Sequence, residues 1–347
     1  MRIGVCTGGG DCPGLNAAIR AVVKYGLQHG HQMIGVLDSY HGMMSDPLHV
    51  RTLDWTDVSE ILHRGGTILG THNSGTTFSD KDAIKRAVSG YTSLQLDALV
   101  VIGGEGTQEM ARKLIEAGLN IVGVPKTIDN DLPGTERTIG FTSCVDLVAD
   151  SIERLHSTAE SHDRVMVLEV MGRDSGYIAA YGGIAGGANV VLIPEIPFHY
   201  EKVCEKIQRR KDLGRTYSVV VVAEGAKPVA GEALYKKHQG NERLGGIGEV
   251  LAHELYRQTS METRVTVLGH LQRGGHPSAE DRLLATRLGC RALELVHEKK
   301  FGMIVGSQGD KVAEYYYKDI QPGARRVLKP DNDLLRFAEG IGISFGR

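Results

Sequence analysis

The sequence predicts an α/β fold with mostly parallel sheets, and three features of the chain support this prediction. Short apolar runs alternate with longer amphipathic segments, an order typical of βαβ units. The runs at residues 98–102 and 219–223 are apolar at every position, as in strands covered on both faces. Glycines cluster where an apolar run ends and a helical segment begins, which is the edge where open α/β sheets bind ligands.

The predicted segments follow one another in a regular order. A strand at residues 3–6 leads through a glycine turn at 8–10 into a helix at 16–28. Another strand, at 98–102, leads through 103–106 into a helix at 107–117. Further strands are predicted at 121–124, 164–170, 217–223 and 265–268, and further helices at 146–159, 175–183 and 280–298. Residues 227–246 are polar and glycine-rich, as in a surface excursion, and the tail at 318–347 shows little periodicity.

Length and composition bound the class of protein. A chain of 347 residues is expected to form about two domains. Lys and Arg number 40 and Asp and Glu number 42, a net charge of −2 that indicates neither a nucleic-acid nor an anionic-membrane partner. No apolar run approaches the 18 residues of a membrane span, and the N-terminus does not resemble a secretory signal. The five cysteines lack CxxC spacing, so we expect no disulfide framework or zinc site, and a cytoplasmic location.

The first glycine-rich turn, at residues 7–14, suits an anion. Its backbone N–H groups would surround the N-terminus of the following helix, where donors and the helix dipole both favour phosphate. It includes Gly10 but has neither the spacing nor the lysine of a P-loop. A tight structural turn is the alternative.

The second glycine-rich turn, at residues 103–107, contains an acid. Glu105 lies between Gly104 and Gly106 and is followed by Thr107. A carboxylate among phosphate-binding amides would repel phosphate unless it holds a metal, and Mg²⁺ is bound by one or two carboxylates plus substrate phosphates. The alternative is an acid in the first turn of a helix, which the dipole favours by itself.

A third polar segment follows the strand at 121–124. It places Lys126 and Thr127 just before Asp129 and Asp131. Asx residues are common in loops, where they bond their own backbone. Two acids beside Lys and Thr at a strand end instead suggest a positioned base, which takes the proton from an attacking hydroxyl during phosphoryl transfer.

Four arginines lie near predicted strand ends or glycines: Arg164, Arg173, Arg264 and Arg273. Arginine binds phosphate through a rigid fork, although a surface salt bridge explains any single one of them. Glu224 is the acid in the same setting. It suits a sugar hydroxyl, with a solvated loop acid as the alternative.

Taken together, these motifs resemble the phosphofructokinase family. The matching pieces are GGGDCPGLNAAIR, GGTILGT, IGGEGT, PKTIDNDLPGTERTIGF, EVMGRDSGYIA, AEGA and RVTVLGHLQRGGHPSAEDR, in family order from residue 3 to about 282. The resemblance implies two Rossmann-like three-layer domains with mostly parallel sheets and the active site in the cleft. We expect residues 1–140 with about 253–305 to bind the phosphoryl donor, and 141–252 with about 306–347 to bind the sugar phosphate. It also implies a homotetramer or homodimer, with fructose 6-phosphate as the acceptor and Mg²⁺ as the cofactor.

The resemblance also assigns roles to individual residues. Asp129 would be the general base on the sugar 1-hydroxyl, flanked by Asp131 and by Thr127 near the transferred phosphoryl group. Glu105 would hold Mg²⁺. The donor would contact Gly10, Asn73, Ser74 and the loop of Gly104, Glu105, Gly106 and Thr107. The sugar phosphate would contact Met171, Gly172, Arg173, Glu224, His270 and Arg273, with Arg164 and Arg264 reaching it from the adjacent subunit. Arg173 would also face the moving phosphoryl group, as a catalytic residue.

Two residues bear on the identity of the donor. ATP users resemble one another in having Gly at position 106, which leaves room for the α-phosphate, whereas pyrophosphate users have Asp there. Lys126 is instead typical of pyrophosphate users, and it would place a cation near the transferring phosphoryl group. Gly106 with Lys126 resembles a mixed subgroup that is mostly ATP-dependent, so ATP is the expected donor.

Two departures from the family pattern matter. Asn73 stands where relatives often have a donor-bridging arginine, so we hypothesise that Lys126 partly replaces that charge. The usual effector-binding arginines are represented only by Arg20 and Lys24, with Trp55 near the place of another. We therefore expect weak or absent control by ADP and phosphoenolpyruvate.

Three alternatives to an ATP-dependent fructose-6-phosphate kinase remain open. One is the reversible pyrophosphate-dependent enzyme. Another is a kinase of a different sugar phosphate such as sedoheptulose 7-phosphate, since the phosphate end would be bound identically. The last is a catalytically silent regulatory subunit, against which the presence of Asp129 argues.

Overall fold

The computed structural model describes residues 1–72, 81–229, 231, 235–238 and 241–347. The strands are β1 (Arg2–Gly8), β2 (Gln32–Val36), β3 (Val50–Leu53), β4 (Ala98–Gly103), β5 (Ile121–Pro125), β6 (Val165–Val170), β7 (Val190–Leu192), β8 (Ser218–Ala223), β9 (Tyr235–His238), β10 (Asn241–Leu244), β11 (Thr263–Val267), β12 (Met303–Gln308) and β13 (Lys311–Tyr316). The α-helices are α1 (Leu15–Gln28), α2 (His41–Met44), α3 (Lys81–Ser93), α4 (Glu105–Glu116), α5 (Phe141–Ser161), α6 (Tyr177–Ala185), α7 (Tyr200–Asp212), α8 (Ile247–Thr259), α9 (Ala279–His297) and α10 (Asp333–Gly340). Short 3₁₀ helices lie at Gly269–Arg273 and Tyr317–Asp319.

The chain divides into two compact units. The first unit comprises residues 1–143 and 273–325, and the second comprises 144–272 and 326–347. The sequence-based expectation has the chain return to the first domain at about 253 and leave it at about 305, about twenty residues before the limits of the first compact unit. The reason is that β11 pairs in parallel with β6, so β11 and the helix before it belong to the second unit. The strand β12 likewise pairs with β5 in the first unit.

The sheet of the first unit is mostly parallel. In the described chain its strand order is β13-β12-β5-β4-β1-β2-β3, with only β3 and β13 antiparallel to their neighbours. The helices α3 and α4 supply apolar side chains to the core on one face. The helices α1 and α9 pack together and against the central strands. Each face therefore buries apolar side chains, which explains why β4 is buried along its whole length.

The second unit contains a parallel sheet in the order β11-β6-β8-β7. Side chains of α7 and α8 fill the core against its strands, and α6 contacts β7 and β8. The predicted polar excursion includes the antiparallel hairpin of β9 and β10. Both units thus confirm the predicted α/β class with mostly parallel sheets.

The strand register aligns the polar motifs of the first unit. Gly8 at the end of β1 pairs with Gly103 at the end of β4, and Gly103 pairs with Pro125 at the end of β5. The three polar segments found in the sequence therefore begin side by side at the carboxyl edge of one sheet.

Candidate active site

The first glycine-rich turn is held in place from its carbonyl side. Lys126 Nζ donates to the carbonyl oxygens of Gly8 (2.9 Å) and Gly10 (2.5 Å). Arg273 Nη1 donates to the carbonyl of Asp11 (3.3 Å), and its guanidinium lies so close that a Cβ on Gly10 would collide with it. Positive φ angles of 77° at Gly9 and 99° at Gly14 explain why glycine is needed at those two positions. With the carbonyls paired, the turn is positioned as an anion-binding element requires.

Lys126 is buried, with only 2% of the residue exposed. Burial lowers the pKa of its ammonium group, because removing a charge from water disfavours the charged form. Two of its three N–H donors are directed at loop carbonyls. The geometry therefore points to a contribution through the glycine-rich turn, in addition to the charge predicted from the sequence.

The second glycine-rich turn leads directly into α4. Thr107 is buried and packs where Cβ atoms on Gly8 and Gly103 would otherwise lie, so both strands must end in glycine. Gly104 is the N-cap residue and has no side chain to cap the helix. A Cβ on Gly106 would have no heavy atom within 4 Å. The loop thus combines an uncapped helix N-terminus with open space, as a phosphate ligand requires.

The acidic segment after β5 brings Thr127, Asp129 and Asp131 together. Thr127 Oγ1 donates to Asp129 Oδ2 (3.3 Å), and the Asp129 N–H donates to Thr127 Oγ1 (3.2 Å). Burial, and secondarily the charge of Asp129, raises the pKa of Asp131 from 3.8 to about 6. Asp129 is partly exposed, whereas Asp131 is 9% exposed. One carboxylate is therefore oriented towards solvent-accessible space and the other is held in a less polar environment.

Glu105 lies in the first turn of α4 and forms an ion pair with Arg325. The distance from Arg325 Nη2 to Glu105 Oε2 is 2.5 Å, and the two side chains are 33% and 36% exposed. In the described part of the chain, no group of three or more His, Cys, Asp or Glu side chains is arranged to hold a metal ion. Glu105 therefore fits Mg²⁺ that is bound by one protein carboxylate and mainly by the oxygens of a phosphate ligand.

The second unit brings Arg164 and Arg264 to one carboxylate. Arg164 Nη2 lies 3.0 Å from Glu262 Oε1, and Arg264 Nη2 contacts the same oxygen. Their convergence follows from the register, because Arg164 directly precedes β6 and Arg264 lies on β11 beside it. The two guanidinium groups can therefore bind one anion together.

The loop after β6 carries Met171, Gly172 and Arg173. Gly172 has a φ of +133°, and a Cβ there would lie 2.8 Å from the Ser175 carbonyl oxygen. Arg173 is largely exposed, and its Nε lies 3.7 Å from Asp174 Oδ2. Glu224 follows β8, and its N–H donates to the Val170 carbonyl (2.8 Å), which aligns the two loops at one sheet edge. These four predicted residues lie at the carboxyl edge of the second sheet.

Four predicted site residues remain, namely His270, Arg273, Asn73 and Ser74. His270 is exposed on the 3₁₀ helix Gly269–Arg273. Arg273, at the end of that helix, contacts the first glycine-rich turn as described above. Asn73 and Ser74 lie outside the described residues.

Two residues with a place in these sites were missed by the sequence analysis. Gln272 is 1% exposed; its Oε1 accepts the Met171 N–H (3.2 Å) and its Nε2 donates to the Gly269 carbonyl (3.0 Å). It thereby ties the loop after β6 to the segment that carries His270. Arg325 lies in the tail that showed no periodicity. Its position in the sequence, 220 residues from Glu105, contained no signal of the pairing.

None of the helices within the described ranges has both the length and the apolar character needed to cross a bilayer.

Comparisons of the sequence with a family model and with curated relatives point to one family. The family model described as phosphofructokinase matches residues 2–296. An ATP-dependent 6-phosphofructokinase from Chloroflexus aurantiacus is 47% identical, with 100% of this chain and 98% of that relative covered. A pyrophosphate–fructose 6-phosphate 1-phosphotransferase from Amycolatopsis methanolica is 46% identical over 90% of this chain and 92% of its own length.

A solved structure extends the agreement to the fold. The phosphofructokinase from Saccharomyces cerevisiae superposes with a TM-score of 0.80 and 32% identity over 92% of this chain. This chain spans 45% of the length of the yeast chain. On its sequence, its fold and the alignment of its motifs, the chain belongs to the phosphofructokinase family.

Proposed function

We propose that this protein transfers the γ-phosphoryl group of ATP to the 1-hydroxyl of fructose 6-phosphate, giving fructose 1,6-bisphosphate and ADP. The observation that carries the proposal is the alignment of the two glycine-rich turns and the Thr127–Asp129 pair at one sheet edge. Phosphoryl transfer depends mainly on positioning and electrostatic stabilisation. An edge with two phosphate-binding turns and one oriented carboxylate supplies both.

Asp129 acts as the general base. As the sugar O1 forms its bond to the γ-phosphorus, the bond from that phosphorus to the β,γ-bridging oxygen of ATP breaks. The hydroxyl proton passes to the Asp129 carboxylate, and the electron pair of the broken bond leaves with ADP. Thr127 donates to Asp129 Oδ2 and so restricts rotation of the carboxylate that accepts the proton.

The donor is bound by backbone amides. The turn with Gly10 and the loop of Gly104, Glu105, Gly106 and Thr107 direct N–H groups towards the phosphates. The open space at Gly106 accommodates the α-phosphate of a nucleotide. Glu105 would hold Mg²⁺, which neutralises charge on the donor phosphates when bound.

Most of the residues that bind the acceptor belong to the second unit, whereas Arg273 belongs to the first. Met171, Gly172, Arg173 and Glu224 line the sugar, and His270 and Arg273 bind the 6-phosphate. Arg164 and Arg264 reach the same phosphate from an adjacent subunit of a homodimer or homotetramer. Their shared contact with Glu262 supports joint binding of one phosphate, since two converging guanidinium groups suit a dianion.

The proposal also includes an expectation about control by effectors and one about cellular location. Lys24 Nζ lies 5.7 Å from the centre of the Trp55 ring, within the range of a cation–π contact. We expect weak or absent control by ADP and phosphoenolpyruvate. The five free cysteines fit a cytoplasmic location.

The test is phosphorylation of fructose 6-phosphate with MgATP and with Mg-pyrophosphate, side by side, with Asp129→Asn as the inactive control. Activity with ATP alone supports the proposal. Activity with pyrophosphate alone supports a second candidate, the pyrophosphate-dependent enzyme, which Lys126 and the Amycolatopsis relative favour. If both donors fail, sedoheptulose 7-phosphate is the next acceptor, and inactivity there would indicate a catalytically silent protein.

A further inference from the structure

The segment after β13 supplies a cation that the sequence analysis did not use. Arg325, the last residue of the first unit, donates from Nη2 to Glu105 Oε2 at 2.5 Å. Burial raises the pKa of Asp131, and the positive charge of Arg325 lowers it by a smaller amount. Arg325 therefore lies among the acids of the candidate donor site.

The charges of this region are unbalanced without Arg325. Glu105, Asp129 and Asp131 provide three carboxyl groups, and a bound nucleotide would add further negative charge. Lys126 directs two of its N–H groups at loop carbonyls, and Arg273 donates to the carbonyl of Asp11. A further cation is needed close to the phosphates, and Arg325 has the required charge and location.

The contact between Arg325 and Glu105 can be exchanged for others. Both side chains are about one-third exposed, and exposed ion pairs of this kind contribute little stability. A small open pocket lies on one side of Glu105, and its lining also includes Leu132 and Ala324. Because both partners of the ion pair are partly exposed, the guanidinium group can exchange the carboxylate for a phosphate at little cost in stability.

We propose that Arg325 is a donor-binding residue that pairs with Glu105 when the site is empty and with donor phosphate oxygens when it is filled. The inference rests on the proposed function of the same site, because it assumes a phosphoryl donor beside Glu105. It adds a specific consequence. Removing Arg325 frees Glu105 for a metal ion bound alone, and weakens binding of a nucleotide that arrives with its metal.

The test uses two equilibrium titrations of the full chain, with Arg325→Met compared with wild type. Mn²⁺ serves as the metal probe because its preference for oxygen ligands resembles that of Mg²⁺, and its free concentration is read by electron paramagnetic resonance. We expect the Kd for Mn²⁺ alone to fall at least threefold. We expect the Kd for MgADP, measured by calorimetry, to rise at least tenfold, as for the loss of a charge-assisted hydrogen bond.

The adjacent arginine provides a matched control. Arg326 lies 4.8 Å from the ring centre of Tyr177 in the second unit, so Arg326→Met removes the same charge from the next residue without touching Glu105. It should leave both constants within twofold of wild type. Arg325→Lys should restore part of the MgADP affinity, and thermal unfolding should show that each variant folds.

The outcomes separate this inference from the proposed function. Opposite shifts of the two constants support it, even if fructose 6-phosphate proves not to be the acceptor. If Mn²⁺ and MgADP both bind more weakly, Arg325 has only a structural role and the inference is overturned. If both bind more tightly, or neither changes, Arg325 does not bind the donor and the inference is equally overturned.

Discussion

The polar groups at the sheet edge of the first unit are fixed by internal hydrogen bonds, whereas the arginines of the second unit are held by exposed acids. Lys126 is buried against two carbonyls and Thr127 is bonded to Asp129. Arg164 and Arg264 share Glu262, which is 43% exposed. Exposed ion pairs are worth about 0–1 kcal/mol, so a phosphate can replace Glu262 at little cost.

The difference indicates that the groups proposed to bind the donor are more firmly held before binding than those proposed to bind the acceptor. In the first unit, the glycine-rich turn and Asp129 are organised before binding, since buried Lys126 holds the turn and Thr127 holds the carboxylate. The acceptor side presents charged groups whose present partners are easily exchanged. Preorganisation serves the transition state, because oriented groups need not rearrange when charge develops. We therefore expect substitutions in the first unit to lower kcat, and those among the arginines of the second unit to raise KM.

The largest effect is expected for Asp129→Asn. Loss of the general base should lower kcat by about 10²- to 10⁴-fold. Affinity for MgADP should stay within threefold, because the carboxylate acts on the acceptor hydroxyl. The measurement is steady-state kinetics with calorimetric binding of MgADP, and Asp163→Asn at an exposed position is the control. A decrease of less than tenfold in kcat would remove Asp129 from the role of base.

Asp131→Asn should raise the free energy of unfolding above about pH 6, because it removes a buried carboxylate that destabilises the folded state. The pKa of Asp131 is raised in the folded state from 3.8 to about 6, so folding favours its protonated form. The folded state is therefore penalised above about pH 6, and this penalty disappears below about pH 3.8. At about 1.4 kcal/mol per pKa unit, the difference corresponds to at most about 3 kcal/mol.

Urea unfolding at pH 8 and at pH 4.5 measures this difference. The Asn variant should have the higher free energy of unfolding at pH 8, with the gain shrinking as the pH falls. Asp163→Asn, at an exposed position, is the control substitution. A variant that is less stable than wild type at pH 8 would show that the Asp131 carboxylate stabilises the fold instead.

Arg264→Met tests the acceptor side. Loss of one charge-assisted contact of about 1.5–3 kcal/mol should raise the KM for fructose 6-phosphate by about 10- to 100-fold. The KM for ATP should stay within twofold. Arg257→Met, which removes an exposed arginine paired with Glu254, is the matched control in the same unit. A change confined to kcat would contradict the proposed contrast between the units.

The smallest expected loss belongs to Lys126→Gly, at least tenfold in turnover or about 1.4 kcal/mol. Lys126→Met keeps the buried chain length but lacks both the charge and the donors to Gly8 and Gly10, so it separates loss of the ammonium group from loss of side-chain packing. If the lysine acts through the turn, amide hydrogen exchange in residues 8–12 should accelerate in both variants. A loss below twofold would exclude both the charge hypothesis and the loop-positioning role.

The fold class and the place of the candidate motifs at strand ends could be predicted because they depend on local patterns. A strand that is apolar on both faces and a glycine turn before a helix can each be recognised within about fifteen residues. The segment from Lys126 to Asp131 is equally local, and the structure has it at the end of β5. The boundaries of the two units were less accessible, since they depend on β11 pairing with β6 across nearly one hundred residues.

The sequence by itself determined which chemical groups follow which strands, because alternation and glycine placement are properties of short segments. Which of these groups contact one another depends on the tertiary structure. Lys126 reaches the carbonyls of Gly8 and Gly10, and Arg325 reaches Glu105, through contacts between residues more than one hundred positions apart. Such pairs depend on how strands are ordered in a sheet and where the chain returns to it. Neither is encoded in the spacing of nearby residues.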